Sequence, residues 1–183
     1  RSNIEIHDAR AKRRLAVVRG DGTADPVLVF DAPADGDYLL KLNDGAFRGG
    51  QEYFYRLDVH QAPYIEFVFP PAGLAGQTSK FSLYGYNLPG SQPVTLPGFK
   101  SPVEKLDVDI AVPGDTTTLQ LEDRTTSLMS GIDAFSYRWN GQSNAVSIGI
   151  AQSPVVTEVE PNNEPAQAQL VPVPAEVVGQ FAE

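Results

Sequence analysis

Hydrophobic and polar residues alternate along much of this chain with a repeat of two. The clearest case is residues 105–112, where every second side chain is apolar: Leu106, Val108, Ile110 and Val112. Successive side chains of a β-strand point to opposite faces of a sheet, so this pattern predicts a strand with one buried and one solvated face. The chain is therefore predicted to be all-β and built from antiparallel β-sandwich modules.

Residues 1–62 contain shorter stretches of the same kind, separated by Asp-Gly turn signals. We predict strands at residues 4–7, 15–18, 27–30, 37–42 and 53–60. In the last of these strands, the alternation places Tyr53, Tyr55, Leu57 and Val59 on one face. That face is predicted to belong to a core.

A second unit is predicted to begin near residue 63. Its first strand, residues 64–69, ends at Pro70, because proline has no N–H to donate to a sheet. A glycine-punctuated turn through Gly73 and Gly76 follows, and Trp139 is predicted to lie in the core. The other strands are predicted at residues 80–84, 105–112, 119–121, 135–139 and 146–150, with an Asn140-Gly141 turn between the last two.

From residue 153 the alternation stops, and proline and glutamate become frequent. This composition is typical of an extended linker, with room for a short helical turn at residues 166–169 and a last strand at residues 176–181. The chain therefore divides into three predicted segments: residues 1–62, 63–153 and 154–183.

Composition narrows the class of protein further. The 16 glycines and 15 prolines fit many turns and short elements, and no apolar run approaches the length of a membrane span, about 20 residues. A formal charge of −9 repels phosphate backbones, which argues against nucleic acid as a partner. The absence of cysteine excludes disulfides, thiolate zinc sites and cysteine nucleophiles.

Two segments resemble known families of bacterial modules. Residues 25–42, which read Asp-Pro-Val-Leu-Val-Phe-Asp-Ala-Pro-Ala-Asp-Gly-Asp-Tyr-Leu-Leu-Lys-Leu, resemble the later strands of a pre-peptidase C-terminal (PPC) domain. The resemblance covers residues 1–62 and only the back half of such a domain, and it implies a jelly-roll β-sandwich. Residues 63–88, from Pro-Tyr-Ile to Gly-Tyr-Asn-Leu, resemble the opening of an IPT/TIG domain, which implies an immunoglobulin-like sandwich over residues 63–153.

The tail contains a third resemblance. Residues 158–165, Glu-Val-Glu-Pro-Asn-Asn-Glu-Pro, resemble the acidic lead-in to a PPC domain, so a second PPC-like unit is predicted to start near Glu158. In relatives of that family the lead-in can chelate calcium, which makes Glu158, Glu160, Asn162 and Asn163 candidate calcium ligands. Calcium takes six to eight oxygen ligands, so this set is incomplete, and a solvated linker is the alternative interpretation.

The order PPC, IPT/TIG, PPC resembles the tandem arrays of large exported bacterial proteins. It implies a non-catalytic structural or adhesive accessory module outside the cytoplasm, whose partners are the neighbouring domains of its parent protein. A module that binds polysaccharide or a matrix protein is the alternative, and a fragment of a secreted hydrolase is a further one. Because residues 155–183 resemble the strands that residues 1–62 lack, a homo-oligomer that exchanges this tail is also a hypothesis.

Other side chains offer weaker signals, and no catalytic residue is predicted. His7 and His60 both lie in alternating stretches, which favours structural roles. The aromatic residues Tyr53, Tyr55, Tyr84 and Tyr86 would suit either a sugar-stacking platform or packing between strands. The basic cluster of Arg10, Lys12, Arg13 and Arg14 would suit either a polyanion or a strand edge guarded by charge.

Overall fold

The computed structural model describes residues 2–10, 12–21, 25–99, 102–115 and 133–180. It is all-β, with twelve strands in these residues and two short 3-10 helices at Trp139–Gly141 and Pro165–Gln167. The chain separates into two compact units, Arg1–Val59 and His60–Glu183. In the part of the chain that is described, no helix is long and apolar enough to cross a membrane.

The first unit contains one antiparallel sheet of three strands. The strands are β1 (Ser2–Asp8), β2 (Arg14–Arg19) and β3 (Tyr38–Asp44), in the order β2-β1-β3. The register gives this sheet one apolar face, made of Ile4, Ile6, Ala16, Val18, Leu40 and Leu42. Of the described hydrophobic side chains in this unit, only Ile4 is buried. Among the described residues no second sheet faces it, and the other side chains of the face are half-buried apart from the exposed Leu40, so the core of this unit is small.

Two strands predicted in the first unit are absent from the structure. Residues 27–30 and 53–60 form no regular element. The predicted buried face of the second stretch is exposed instead, with Tyr55 at 74% and Val59 at 76% of their full accessible area. Alternation favours an extended chain, but a strand also needs a neighbour to accept its hydrogen bonds. Within the described residues of this unit, these two stretches have no such neighbour.

In the second unit, the described residues between 64 and 151 form a sandwich of two sheets. Its strands are β4 (Tyr64–Phe69), β5 (Ala72–Leu74), β6 (Thr78–Tyr86), β7 (Gln92–Val94), β8 (Val103–Ala111), β9 (Ala134–Tyr137) and β10 (Val146–Ala151). One sheet has the antiparallel order β4-β6-β8-β7. The other has the order β5-β10-β9, in which β5 and β10 run parallel.

The core of the second unit lies between the two sheets. Phe81 and Leu83 of β6 and Ile148 of β10 are at most 1% exposed and belong to one hydrophobic cluster. The alternation in residues 105–112 is confirmed, because Ile110 and Val112 are buried in the same cluster, with Leu106 and Val108 packed against it. Lys105, Asp107 and Asp109 pair in register with the outward residues of β6.

Several local predictions for the second unit are confirmed and two are corrected. Strand β4 ends at Phe69 just before Pro70, and Asn140 and Gly141 both have positive φ, as their turn requires. Of the expected turn through Gly73 and Gly76, Gly76 does lie in a turn, with φ of 71°, whereas Gly73 belongs to strand β5, whose partner β10 lies more than 70 residues away in sequence. Trp139 lies in a 3-10 helix rather than in a strand, half-buried against the core. The strand predicted at residues 119–121 lies outside the described residues.

The Gly-Tyr-Asn-Leu segment at the end of β6 has a clear physical basis. A side chain at Gly85 would collide with the backbone carbonyl of Tyr64 on the neighbouring strand. Asn87 then adopts a left-handed conformation, with φ of 54°, and turns the chain so that Leu88 enters the core at 2% exposure. The Leu88 N–H donates to Oε2 of Glu104 at 2.6 Å, which anchors this turn to β8.

The tail forms a small sheet of its own. Strands β11 (Val155–Thr157) and β12 (Glu176–Val178) pair in parallel, and Val178 is buried. The predicted last strand at residues 176–181 is thus observed in its first half, and the short helical turn lies at Pro165–Gln167. We call residues 158–175, which connect β11 to β12, the tail loop.

Candidate functional site

The outer face of the β4-β6-β8-β7 sheet carries a ladder of paired polar groups. Ser82 Oγ donates to Asp107 Oδ1 at 2.6 Å, Lys105 Nζ lies 3.2 Å from the same oxygen, and Lys80 Nζ lies 3.1 Å from Asp109 Oδ1. The hydrogen bond from Ser82, together with Lys105, lowers the pKa of Asp107 below its ordinary value of 3.8. The ladder borders a shallow depression, open to solvent, beside Phe69.

The pKa of Asp107 sets the sign of a pH effect. A carboxyl group whose pKa is lower in the folded state stabilises that state at pH values above its unfolded pKa, and the contribution is lost as pH falls through the folded pKa. The Asp107 side chain is 71% exposed, so solvent screens its ion pair and the effect on stability is small. The ladder is therefore a solvated, charged sheet face.

Aromatic side chains occupy another part of the same outer face. The rings of Phe67 and Tyr84 stack at 4.6 Å with an interplanar angle of 10°, and Phe99 lies 6.1 Å from Phe67. Tyr84 therefore uses one ring face for packing between strands. Tyr86 is also in β6, whereas Tyr53 and Tyr55 belong to the first unit and to no strand. The four predicted platform residues thus come from two different units.

Both histidines have local hydrogen-bond partners. His7 Nε2 lies 2.8 Å from Glu5 Oε2, and this contact lowers the pKa of Glu5. Arg14 Nη1 lies 3.6 Å from the other oxygen of Glu5. His60 Nδ1 accepts a hydrogen bond from the Ala62 N–H at 3.1 Å. These contacts tie each histidine to residues of its own stretch of chain or of an adjoining strand.

The predicted calcium ligands lie at the start of the tail loop. Asn162 Nδ2 donates to Glu158 Oε1 at 2.7 Å, and the Asn162 backbone N–H donates to Glu160 Oε2 at 3.0 Å. Glu158 is half-buried, while Glu160 and Asn163 are exposed. In the described residues, no group of three or more histidine, aspartate or glutamate side chains is arranged to hold a metal ion. The calcium site remains a prediction.

We expect calcium to bind this chain no tighter than about 1 mM, because residues 158–163 offer four side-chain ligands and calcium takes six to eight. Two of the carboxylate oxygens also already accept hydrogen bonds from Asn162. Isothermal titration calorimetry with calcium, and with magnesium as a control, measures this affinity. Micromolar binding that is lost in Glu158→Gln would contradict the expectation.

The basic cluster lies in the turn between β1 and β2 and at the start of β2. Arg10, Lys12 and Arg13 are exposed between β1 and β2, and Arg14 begins β2, the outermost strand on that side. Arg19 ends the same strand and is also exposed. The structure therefore places these residues in and beside the β1–β2 turn, and both interpretations of the cluster remain predictions.

Exposed hydrophobic side chains show a distribution that sequence analysis missed. Fifteen large hydrophobic residues are exposed in the described part of the chain, and all of them lie in the first unit or in residues 159–177. Eleven belong to the first unit: Val17, Val27, Val29, Leu39, Leu40, Phe47, Tyr53, Phe54, Tyr55, Leu57 and Val59. The other four are Val159, Leu170, Val173 and Val177. This pattern cannot be predicted from local sequence, because the alternation around an apolar residue in a strand is the same whether or not a second sheet covers that residue.

Comparison with known proteins does not assign this chain to a family. No protein-family model matches the chain, and no curated protein or solved structure matches it at a significant level. The similarity to PPC and IPT/TIG domains therefore remains a prediction from the sequence motifs.

Proposed function

We propose that this chain is a non-catalytic structural and adhesive module of a larger exported bacterial protein, acting outside the cytoplasm through contacts with neighbouring protein surfaces. The observation that carries the proposal is the distribution of exposed hydrophobic side chains. They are confined to the first unit and the tail, and the sandwich between these two segments exposes none among its described residues.

Burial of apolar surface explains why this distribution points to protein contacts. Each Å² of apolar surface left in water costs about 25 cal/mol relative to burial. The sandwich covers its large side chains with its own two sheets, and Phe81 and Leu83 are almost fully buried. The first unit leaves Phe54 at 92% and Phe47 at 85% exposed. Concentrated apolar exposure of this kind marks interaction surfaces.

The single sheet of the first unit supports the domain assignment within this proposal. In that assignment, residues 1–62 are the back half of a PPC-like sandwich, residues 63–153 are an IPT/TIG-like domain, and a second PPC-like unit starts in residues 154–183. A half-sandwich presents one apolar sheet face without a facing sheet, and the face that contains Ile4, Val18 and Leu40 has this character. The partners of such a face are neighbouring domains of the parent protein, or a second copy of the chain.

A polysaccharide- or matrix-binding module is the second candidate. The observation that favours it is the open depression on the outer sheet face, where Phe69 lies beside the hydroxyl of Ser82 and the charged groups of Lys80 and Asp107. An aromatic ring flanked by hydrogen-bonding groups suits a sugar. Here the polar groups already pair with one another, so a sugar must displace those contacts.

Cell fractionation tests the proposal directly. An antibody raised against the purified chain should detect, in the medium or at the cell surface, a polypeptide larger than the 19.8 kDa of this chain. A cytoplasmic polypeptide of 19.8 kDa would contradict the proposal. Retention of the chain on acidic or neutral polysaccharide beads, lost in Asp107→Ala, would favour the second candidate. Turnover of ester, glycoside or peptide substrates that depends on a single side chain would favour a hydrolase.

A further inference from the structure

The outer strand β2 and the turn that leads into it combine an exposed apolar side chain with positive charge. Strand β2 is the outermost strand of the β2-β1-β3 sheet, and no described strand pairs with its outer side. Val17 in its centre is 38% exposed. Residues 9–19 contain five basic residues and no acidic residue. We call β2 and its flanking residues Arg10, Lys12 and Arg13 the basic edge.

The tail loop has the opposite charge and also exposes apolar side chains. Residues 154–183 contain five glutamates and no lysine or arginine. Within the loop, Leu170 and Val173 are each 94% exposed and Val159 is 63% exposed. These exposed apolar side chains lie among residues whose charges are all negative. The tail loop therefore suits a partner surface that is both apolar and positively charged.

We propose that the tail loop of one copy docks on the basic edge of a second copy. The inference rests on the proposed adhesive function and names its partner as another molecule of this chain. The net charge of −9 makes two copies repel each other in general, so attraction needs a local positive surface. The basic edge is such a surface, and docking there covers Val17 on one copy and Leu170 and Val173 on the other.

The two surfaces differ from each other, so the contact is heterologous. Each copy that offers its tail loop still has a free basic edge, and the association can continue from copy to copy. An acidic polysaccharide would satisfy the positive charge of the basic edge but not the apolar side chains. A second copy satisfies both, since its tail loop carries carboxylates together with exposed apolar groups.

Sedimentation velocity over a range of concentrations tests the contact. The wild-type chain should associate as its concentration rises, and salt should weaken the association because charge steers it. Changing Arg10, Lys12 and Arg13 to Glu takes the basic edge from five positive charges to a net charge of −1, and Glu160→Lys with Glu164→Lys takes the tail loop from −3 to +1. Each set of substitutions should raise the dissociation constant at least about tenfold. The matched controls change the same number of charges elsewhere: Lys41, Arg48 and Arg56 to Glu for the basic edge, and Glu66→Lys with Asp133→Lys for the tail loop.

Mixing the two reversed variants separates a specific contact from a general charge effect. Each variant alone carries like charges on both surfaces, whereas the mixture restores opposite charges at every contact. A one-to-one mixture should therefore regain association, and so should a single chain that carries all five substitutions. Thermal unfolding of each variant confirms that it is folded. If a variant fails to fold, the test uses the wild-type chain alone, whose association should weaken as the salt concentration rises.

Three results would overturn the inference. The first is a wild-type chain that stays monomeric up to about 1 mM, since a weaker contact would leave most copies unbound even at high local concentration. A tail loop that docks within its own chain would also give a monomer, and this outcome too contradicts the inference. The second is an equal effect of the variants and their controls. The third is a mixture that stays monomeric. None of these outcomes alters where the parent protein is found in the cell, so failure here is distinguishable from failure of the proposed function.

Discussion

Replacing Phe81 with alanine should lower the free energy of unfolding of the second unit by about 4 kcal/mol. Phe81 is 1% exposed at the centre of the core between the two sheets, together with Leu83 and Ile148. Its removal costs the transfer energy of the ring and leaves a cavity that the surrounding strands fill only in part. The loss is a large fraction of the stability of a domain of this size.

Urea unfolding followed by tryptophan fluorescence measures the loss of stability in the second unit. Trp139 is the only tryptophan and packs against the same core, so its signal reports on the second unit alone. Lys80→Ala, one residue away on the same strand, is the matched control. The Lys80 side chain is 90% exposed, so this change should stay within about 0.5 kcal/mol. A loss below 1 kcal/mol for Phe81→Ala would show that the two sheets do not pack around this ring.

Replacing Asn144 with alanine should cost about 3 kcal/mol, through hydrogen bonds rather than through packing. Asn144 Oδ1 accepts from the Ile65 N–H at 2.7 Å, and Asn144 Nδ2 donates to the Ile65 carbonyl at 2.9 Å. Ile65 is 1% exposed, and it lies at the irregularity between β4 and β6. Alanine leaves a buried backbone donor and a buried backbone acceptor without partners, each of which costs about 1 to 3 kcal/mol.

Two further variants separate the hydrogen bonds of Asn144 from any general effect of changing an asparagine. Asn144→Asp keeps an acceptor for the Ile65 N–H but places a carboxylate oxygen against the Ile65 carbonyl, so it should also destabilise the unit. Asn163→Ala changes an exposed asparagine in the tail loop and should stay within about 0.5 kcal/mol. If Asn144→Ala and Asn163→Ala cost the same, water replaces the Asn144 side chain and the predicted mechanism is wrong.

The predictions that succeeded concern elements whose signal is local. In β8, the alternation that starts at Lys105 determines which side chains enter the core, because the pleat of a strand has a repeat of two whatever its neighbours are. Pro70 ends β4, and Asn140-Gly141 turns the chain, because each acts through its own backbone geometry. The all-β class follows from many such signals in agreement.

The predictions that failed needed a partner distant in sequence. Residues 27–30 are apolar throughout and residues 53–60 alternate, as in many strands, yet no described strand lies beside either stretch. Strand β5 shows the reverse case. Its three residues, Ala-Gly-Leu, read as part of a turn, and they become a strand only through parallel pairing with β10. Asn144 is similar, since its clamp on Ile65 joins residues 79 positions apart.

The candidate sites divide in the same way. Charge belongs to individual residues, so the sequence alone located the basic residues at positions 10–19 and the acidic residues of the tail, and its net charge of −9 predicts against a nucleic-acid partner. Three features could be seen only in the folded chain: β2 is an outer strand, Phe67 stacks on Tyr84, and the sandwich covers its own apolar side chains. Alternation and charge are properties of each stretch of chain. Burial is a property of what packs against it.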